Sequence, residues 1–348
     1  MSDKQKVVWF LFLGLISLCF CFSLINPRAL YSATIDPVGD LYLPPPKDFR
    51  IVVISDLNSQ YGSTTYEAEV DQAIALVPQW QPDLVLCGGD MIAGQKTSLT
   101  KSQIEAMWAA FDAHVALPLR QAGIPFGFTI GNHDGSGAIK DQTLVFSQER
   151  DLAKAYWQQE QDKLGLNFVD SDNFPFSYSF KQDNLFFLVW DASTAVISDS
   201  QLQWVEQALN SPVAKLATMK IAIGHLPLYP VASVKDKPGE YLDQAEKLRS
   251  LLEENQVQLY ISGHHHAYYP GIKGQLNLLH AGALGQGARQ LINSDLPPVK
   301  TLTVMDFDTL SDRMFTTTYN ATTWELIQLE QLPAKIPTKY GDIIRANW

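Results

Sequence analysis

Ile124-Pro125-Phe126-Gly127-Phe128-Thr129-Ile130 runs directly into Gly131-Asn132-His133-Asp134, and the architecture of the chain can be read from this junction. An apolar, aromatic-rich run closed by a small-residue turn predicts a strand whose carboxyl end carries Asn132, His133 and Asp134. Open α/β sheets keep their sites at such strand ends. Four other stretches repeat the pattern. Arg50–Ser55 ends at Asp56-Leu57-Asn58, and Asp83–Cys87 ends at Gly88-Gly89-Asp90. Lys220–Ile223 ends at Gly224-His225-Leu226-Pro227, and Val257–Ile261 ends at Ser262-Gly263-His264-His265-His266.

Strand ends that deliver Asp, Asp, Asn-His-Asp, His and His-x-His make a mixed nitrogen and oxygen set, enough for two metal ions sharing a ligand. In this order the motifs resemble the calcineurin-like metallophosphoesterase superfamily, whose signature runs D-x-H, G-D, G-N-H-D/E, G-H-x-P and G-H-x-H. The last four stand intact, and Asn58 replaces the His of the first. Each motif alone is a weak signal; five in order, each after a strand-like run, are a strong one.

The resemblance covers residues 49–320 and implies a four-layer α/β/β/α sandwich of two mixed sheets. It also implies a site. One divalent ion would be held by Asp56, Asp90 and His266, with Asn58 in the first motif's second ligand position. The other would be held by Asp90, Asn132, His225 and His264, so that Asp90 bridges. His133 would face the substrate and protonate the leaving oxygen, and Asp134 would orient its imidazole. The ions are drawn from Mn, Fe, Zn and Mg, and the neutral amide of Asn58 shifts that choice toward Mn or Mg. The implied activity is hydrolysis of a phosphate mono- or diester by a metal-activated hydroxide. A protein phosphatase would use the same residues, and no local feature singles that out. The alternative is a catalytically weak, membrane-anchored protein of the same fold that binds metal and a phosphorylated ligand, and Asn58 is the feature that favours it.

Beyond the motifs the sequence is less specific. Arg289, in the loop Gly285-Gln286-Gly287-Ala288-Arg289, is the candidate for gripping a phosphate or leaving group, with a surface salt bridge as the alternative, and Tyr229 is a candidate pocket wall, with packing as the alternative. His265, between two ligands, is expected to point away, and His114 is expected on a helix as a packing or surface residue, not a ligand. His280 is left out of the site.

The motifs run without a second core pattern between them, so residues 49–325 are expected to form one catalytic domain followed by a C-terminal tail, 326–348. Strand and helix alternate early, with helices expected at 70–78 and 102–121, and the late strands Leu276–His280, Thr301–Phe307 and Met314–Tyr319 are expected to form a second sheet. Lys181-Gln182-Asp183-Asn184 predicts a hairpin turn between two apolar runs.

Met1–Lys6 is short and polar, and Val7–Ile25 is continuously apolar apart from Gly14 and two serines. At ~1.5 Å per residue this run reaches ~28 Å, close to the bilayer core. An uncleaved membrane-anchor helix over 1–25 is favoured over a cleaved signal peptide because no good small-x-small cleavage site follows. The lysines before it place the catalytic domain on the exported side, periplasmic or extracellular. Secretion after cleavage is the alternative. Residues 26–48, with Pro27, Pro37 and Pro44-Pro45-Pro46, read as a spacer. Cys19 and Cys21 lie in the apolar run, which leaves Cys87 alone in the folded part and rules out a disulfide framework there. A net charge of −11 without a basic cluster argues against nucleic acid as a partner and leaves a small phosphorylated substrate.

Overall fold

The computed structural model describes residues 41–348. The expected anchor, 1–25, and residues 26–40 of the expected spacer lie outside the described residues. Among the described residues no helix is long and apolar enough to cross a membrane. The end of the expected spacer is bound to the folded body: the Tyr42 carbonyl accepts the Tyr319 hydroxyl, and the Pro44 carbonyl accepts Arg50 Nη2 at 2.7 Å.

Continuous apolar runs become strands buried on both faces. β1 (Phe49–Ile54) and β2 (Leu84–Cys87) have no exposed residue, as parallel strands covered on both sides require. Between them α1 (Ala68–Trp80) turns Val70, Ile74, Val77 and Trp80 inward. It runs past Pro78 because Trp80 packs on Tyr319, with ring centroids 5.4 Å apart, and donates its indole N–H to that hydroxyl at 3.2 Å. α2 (Lys101–Phe111) opens on a capping box of Thr100 and Gln103. The helix expected over 102–121 continues through a π-helical turn, Asp112–Ala116, into Leu117–Gln121. β3 (Phe126–Phe128) follows, then a small hairpin of β4 (Ile139–Lys140) and β5 (Thr143–Leu144). α3 (Ser147–Glu160) stacks Trp157 on Phe128 with centroids 3.8 Å apart.

The second half begins with three antiparallel strands, β6 (Asn167–Asn173), β7 (Ser177–Gln182) and β8 (Leu185–Val189), the last two forming the expected hairpin. Then come α4 (Asp199–Leu209), β9 (Met219–Ile223), α5 (Ala245–Glu254) and β10 (Leu259–Ser262). Strands β11 (Tyr268–Lys273), β12 (Leu276–Ala281), β13 (Thr301–Asp308) and β14 (Arg313–Asn320) precede β15 (Lys335–Ile336) and β16 (Ile343–Arg345).

Two large mixed sheets result. The first has the order β14-β13-β1-β2-β3, and the second β15-β16-β11-β12-β10-β9-β8-β7-β6. Their inner faces meet through aromatic rings: Phe49 of β1 lies 6.5 Å from Phe187 of β8, and the Tyr178 hydroxyl of β7 accepts the Phe128 N–H at 3.1 Å. α1 and α3 cover the first sheet through the Trp80 and Trp157 contacts, while α4 packs on β8 and α5 on β12 of the second.

Two expectations are corrected. The late strands do not share one sheet: β12 joins the second, whereas β13 and β14 extend the first, because β13 pairs antiparallel with β1. That pairing sets Arg50 opposite Asp306, and the buried guanidinium makes Nε to Oδ1 at 2.9 Å, Nη2 to Oδ2 at 3.1 Å and Nη1 to the Trp80 carbonyl at 2.8 Å. A charge removed from water in this way is tolerated because its donors are satisfied. The second correction concerns 326–348, which is not a tail. β16 pairs with β11 and β15 with β16, Ile336, Ile343 and Ala346 are fully buried, and the Trp348 indole donates to Asn277 Oδ1 at 2.9 Å.

Candidate metal centre

Strands β1, β2 and β3 are parallel in the first sheet, and β8, β9, β10 and β12 are parallel in the second. Their carboxyl ends deliver Asp56, Asp90, Asn132, His225, His264 and His266. Within 4.8 Å of one another lie ligand atoms of Asp56, Asp90 and His266, and likewise ligand atoms of Asp90, His225 and His264. Asp90 belongs to both groups.

The backbone at these ends is unusual. Asp56, Asp90, His264 and His266 have φ of 51°, 54°, 63° and 51°, a left-handed conformation that costs a side-chain-bearing residue roughly 1 kcal/mol or more. The turn is held in place by bonds across the two strand ends, Asp56 N–H to the Gly89 carbonyl at 2.9 Å and Leu57 N–H to the Asp90 carbonyl at 2.9 Å. Strain of this kind persists only where its surroundings over-determine it. Gly89 is required here for two reasons: its φ is +92°, and a Cβ would stand 2.8 Å from His225 Nδ1.

Each histidine of the centre has one nitrogen committed elsewhere. His225 donates Nδ1–H to the Gly88 carbonyl at 2.7 Å, and His266 donates Nδ1–H to the Gly287 carbonyl at 3.0 Å. Their Nε2 atoms therefore face the centre. His225 Nε2 lies 3.2 Å from Asp90 Oδ2 and 3.0 Å from Asn132 Oδ1, and His266 Nε2 lies 3.1 Å from Asp56 Oδ1. The Asn132 amide orientation is fixed by its Nδ2, which donates to Gln95 Oε1 at 2.8 Å. Acceptors converging in this way need positive charge among them, supplied by a proton or by a cation. Burial opposes a charge on His225, but the Asp90 carboxylate beside it pushes the imidazole up to about 9. Burial would likewise raise Asp90, yet the charges of His225 and His133 hold it well below the usual carboxylate range. His264 is held well below the ordinary imidazole value, first by burial and then by His225. Two carboxylates, an amide oxygen and three imidazoles, two of them with carbonyl partners on their far nitrogens, are the donor set of a divalent-metal centre, and the residues fit that group.

His133 stands beside the ligands. Its N–H donates to Asp90 Oδ1 at 2.8 Å, its Nδ1 donates to the Gly94 carbonyl at 3.1 Å, and its Nε2 is 3.9 Å from Asp90 Oδ2. The ring lies 5.1 Å from that of Tyr61 and lines a cleft of about 1140 Å³.

Asp134 is not where the sequence reading put it. Its Oδ2 accepts the N–H groups of Asp90 and Gly131, each at 2.8 Å, and its Oδ1 those of Met91 at 2.7 Å and Ile92 at 3.0 Å. The His133 ring takes the Gly94 carbonyl instead. Burial, and then the charge of Asp90, pushes the Asp134 carboxyl up to about 7 against the pull of these donors.

Asn58 is buried, and its Nδ2 donates to the Ile92 carbonyl at 3.2 Å, so Oδ1 is the amide atom available to an ion. Arg289 lines the cleft with Nη1 bonded to the His264 carbonyl at 2.9 Å. Tyr229 is not on the cleft wall; it is fully buried, and its hydroxyl donates to Glu246 at 2.6 Å. His265 points away from the centre as expected. His114 pairs with Asp71 at 2.7 Å on the surface, and the buried His280 bonds the Tyr269 carbonyl at 3.2 Å.

Sequence reasoning missed Gln95, which aims Asn132, and Glu149, which accepts the N–H groups of Gln95 at 2.7 Å and Lys96 at 3.1 Å. It also missed Glu240 and Lys235, which reach His264 at 2.9 and 3.4 Å. The only local sign of the last two was a charged, Pro-Gly-containing loop, Lys235-Asp236-Lys237-Pro238-Gly239-Glu240.

A family model for calcineurin-like phosphoesterases matches residues 49–268. No curated protein sequence matches the chain. Among solved structures, the purple acid phosphatase PPD1 from yellow lupin (Lupinus luteus) seeds is similar over 82% of this chain and 54% of its own, with TM-score 0.58 and 16% identity. The chain thus spans about half the length of that phosphatase. GAP50, described as the anchor in the inner membrane complex of Plasmodium, is similar over 80% of this chain and 87% of its own, with TM-score 0.50 and 14% identity. At such identities the likeness is one of fold.

Proposed function

The chain belongs to the calcineurin-like phosphoesterase family, and on that basis we propose that it hydrolyses phosphate mono- or diesters with a pair of divalent ions. The observation that carries this reading is the sharing of Asp90 between two ligand groups. Asp56, Asp90 and His266 would hold one ion, with Asn58 Oδ1 as the further donor the first motif offers, and Asp90, Asn132, His225 and His264 would hold the other. When bound, such a pair neutralises the phosphate and lowers the pKa of the attacking water.

The other steps fall to the chain itself. The P–O bond to the leaving group breaks as a new P–O bond to water forms, and the leaving oxygen must gain a proton. His133, whose Nδ1–H is bound to the Gly94 carbonyl, presents Nε2 to the cleft and gives that proton as an imidazolium. Asp134 ties together the turns that carry Asp90 and His133 through its four backbone donors. Arg289, beside His264 on the cleft wall, binds the phosphate or the leaving group.

The test is hydrolysis of p-nitrophenyl phosphate and bis-p-nitrophenyl phosphate by the full chain with Mn²⁺, beside Asp90→Asn. Turnover by wild type and none by the variant is the expected result. Asn58 favours a second reading, a binder of phosphorylated ligands without turnover, and a metal-loaded wild type inert on both esters would establish it. The apolar run Val7–Ile25 supports the further proposal that the hydrolase is held at a membrane on its exported side. Carbonate extraction should then leave the full chain in the membrane pellet and residues 41–348 in the supernatant; release of both would reject the anchor.

A further inference from the structure

The segment Val231–Glu240 is closed on itself by His265. The Nδ1 of this fully buried imidazole accepts the N–H groups of Val231 at 3.2 Å and Ala232 at 3.3 Å, and its Nε2–H donates to the Glu240 carbonyl at 2.9 Å. A second set of bonds fastens the start of the segment to the strip after Arg289: Ser233 N–H to the Gln290 carbonyl at 3.1 Å, and Ile292 N–H to the Val231 carbonyl at 2.8 Å. Backbone held at both ends presents its side chains in fixed directions. Here it presents Glu240 and Lys235 to the cleft, against His264. Glu240 Oε2 lies 2.9 Å from His264 Nε2, Lys235 Nζ is paired with the same oxygen, and Lys235 Nζ is 3.4 Å from the imidazole nitrogen.

We propose that Glu240 is a positioning residue for the metal centre: it accepts the His264 Nε2–H, fixes that tautomer, and leaves Nδ1 as the nitrogen that ligates. The inference rests on the two-ion reading of the proposed function. Its logic is that of the other two histidines, whose far nitrogens are held by the Gly88 and Gly287 carbonyls, except that His264 has a carboxylate in that place. A carboxylate raises the basicity of the ligating nitrogen more than a carbonyl does. It also brings a negative charge into a cleft that must admit a phosphate. Lys235 answers that difficulty, because its ammonium offsets the Glu240 charge at the site where the substrate arrives. The middle histidine of the last motif thereby gains a role, since it holds the strap that carries both residues.

The experiment is calorimetric titration of EDTA-stripped full-length protein with Mn²⁺, using wild type, Glu240→Ala and Glu240→Gln. The expected result is that Glu240→Ala weakens one of two binding events by about 10–100-fold and leaves the other within about twofold. Glu240→Gln keeps an acceptor for Nε2–H and should recover most of the loss. Unchanged binding of both ions by Glu240→Ala overturns the inference. So does equal weakening of both with a lowered Tm of the stripped protein, which would mean that the segment is merely structural. A wild type that takes up no Mn²⁺ overturns the two-ion reading itself. Nitrogen-15 spectra of the stripped wild type read the tautomer directly, and there Nε2–H on His264 supports the assignment and Nδ1–H overturns it.

Discussion

Asp134 Oδ2 accepts the backbone N–H of Asp90 at 2.8 Å, so these two buried carboxylates have separate roles. Asp90 turns its side chain to the imidazoles, and Asp134 turns its own to the backbone that places Asp90. The two are 44 residues apart in the chain, at the ends of neighbouring parallel strands.

Replacing Asp134 with Asn leaves one oxygen for four N–H donors and turns an NH₂ group toward the others. Buried donors left without acceptors cost about 3 kcal/mol in total, so urea unfolding of the stripped protein should show a loss of that order. The His133 ring bonds the Gly94 carbonyl and not Asp134, and the folded fraction of Asp134→Asn should therefore retain more turnover than His133→Gln. A variant as stable as wild type would remove Asp134 from this structural role.

His133→Gln should lower kcat by about 10²–10⁴-fold, the usual contribution of a positioned general acid. The fall should be steeper for an alkyl phosphate than for a nitrophenyl ester, whose leaving group needs no proton. Metal content should equal that of wild type because neither ligand group includes His133. Equal losses on both esters would mean that His133 does something other than protonate.

Asn58→His places an imidazole, a better donor to zinc than a neutral amide, beside Asp56, Asp90 and His266. Competition titration should show zinc binding tighter by at least about tenfold, or about 1.4 kcal/mol. Unchanged or weaker binding would show that the amide, tied to the Ile92 carbonyl, already suits its ion.

Acid should destabilise the protein partly through His280. Burial lowers this imidazole to about 4 in the folded chain, whereas an unfolded imidazole titrates near 6.5. Because the folded value is depressed, the stability is fully present above about 6.5. It is lost as pH falls toward 4, since only the unfolded chain takes up the proton. By pH 5 the loss is about 2 kcal/mol. His265, also driven well down by burial, adds to it in the same sense. In urea unfolding at pH 7 and pH 5 with EDTA, His280→Asn should lose less stability than wild type by about that amount. Parallel pH profiles would reject the assignment.

The strand ends, and the side chains they carry, were legible in the sequence. An apolar run closed by Gly-Asp, Gly-Asn-His-Asp or Gly-His is a local pattern, and local patterns fix where a strand stops and which side chain follows it. Grouping Asp56, Asp90, His225, His264 and His266 took the resemblance carried by five motifs in order, because the carboxylates stand on one sheet and the histidines on the other, and strand patterns do not say how two sheets meet. The partners of those residues, by contrast, emerged only once the chain was folded. Arg50 and Asp306 are 256 residues apart, and nothing in the periodicity of β13 or β14 says that they complete the first sheet, or that residues 335–345 extend the second. A carboxylate such as Asp134 binds equally well to an imidazole or to a set of amides, and the choice depends on which donors the turns around Asp90 and Gly131 leave facing it. Glu240 and Lys235 were invisible for the same reason: a charged loop in sequence becomes a partner for His264 only after His265 has closed the segment over the centre.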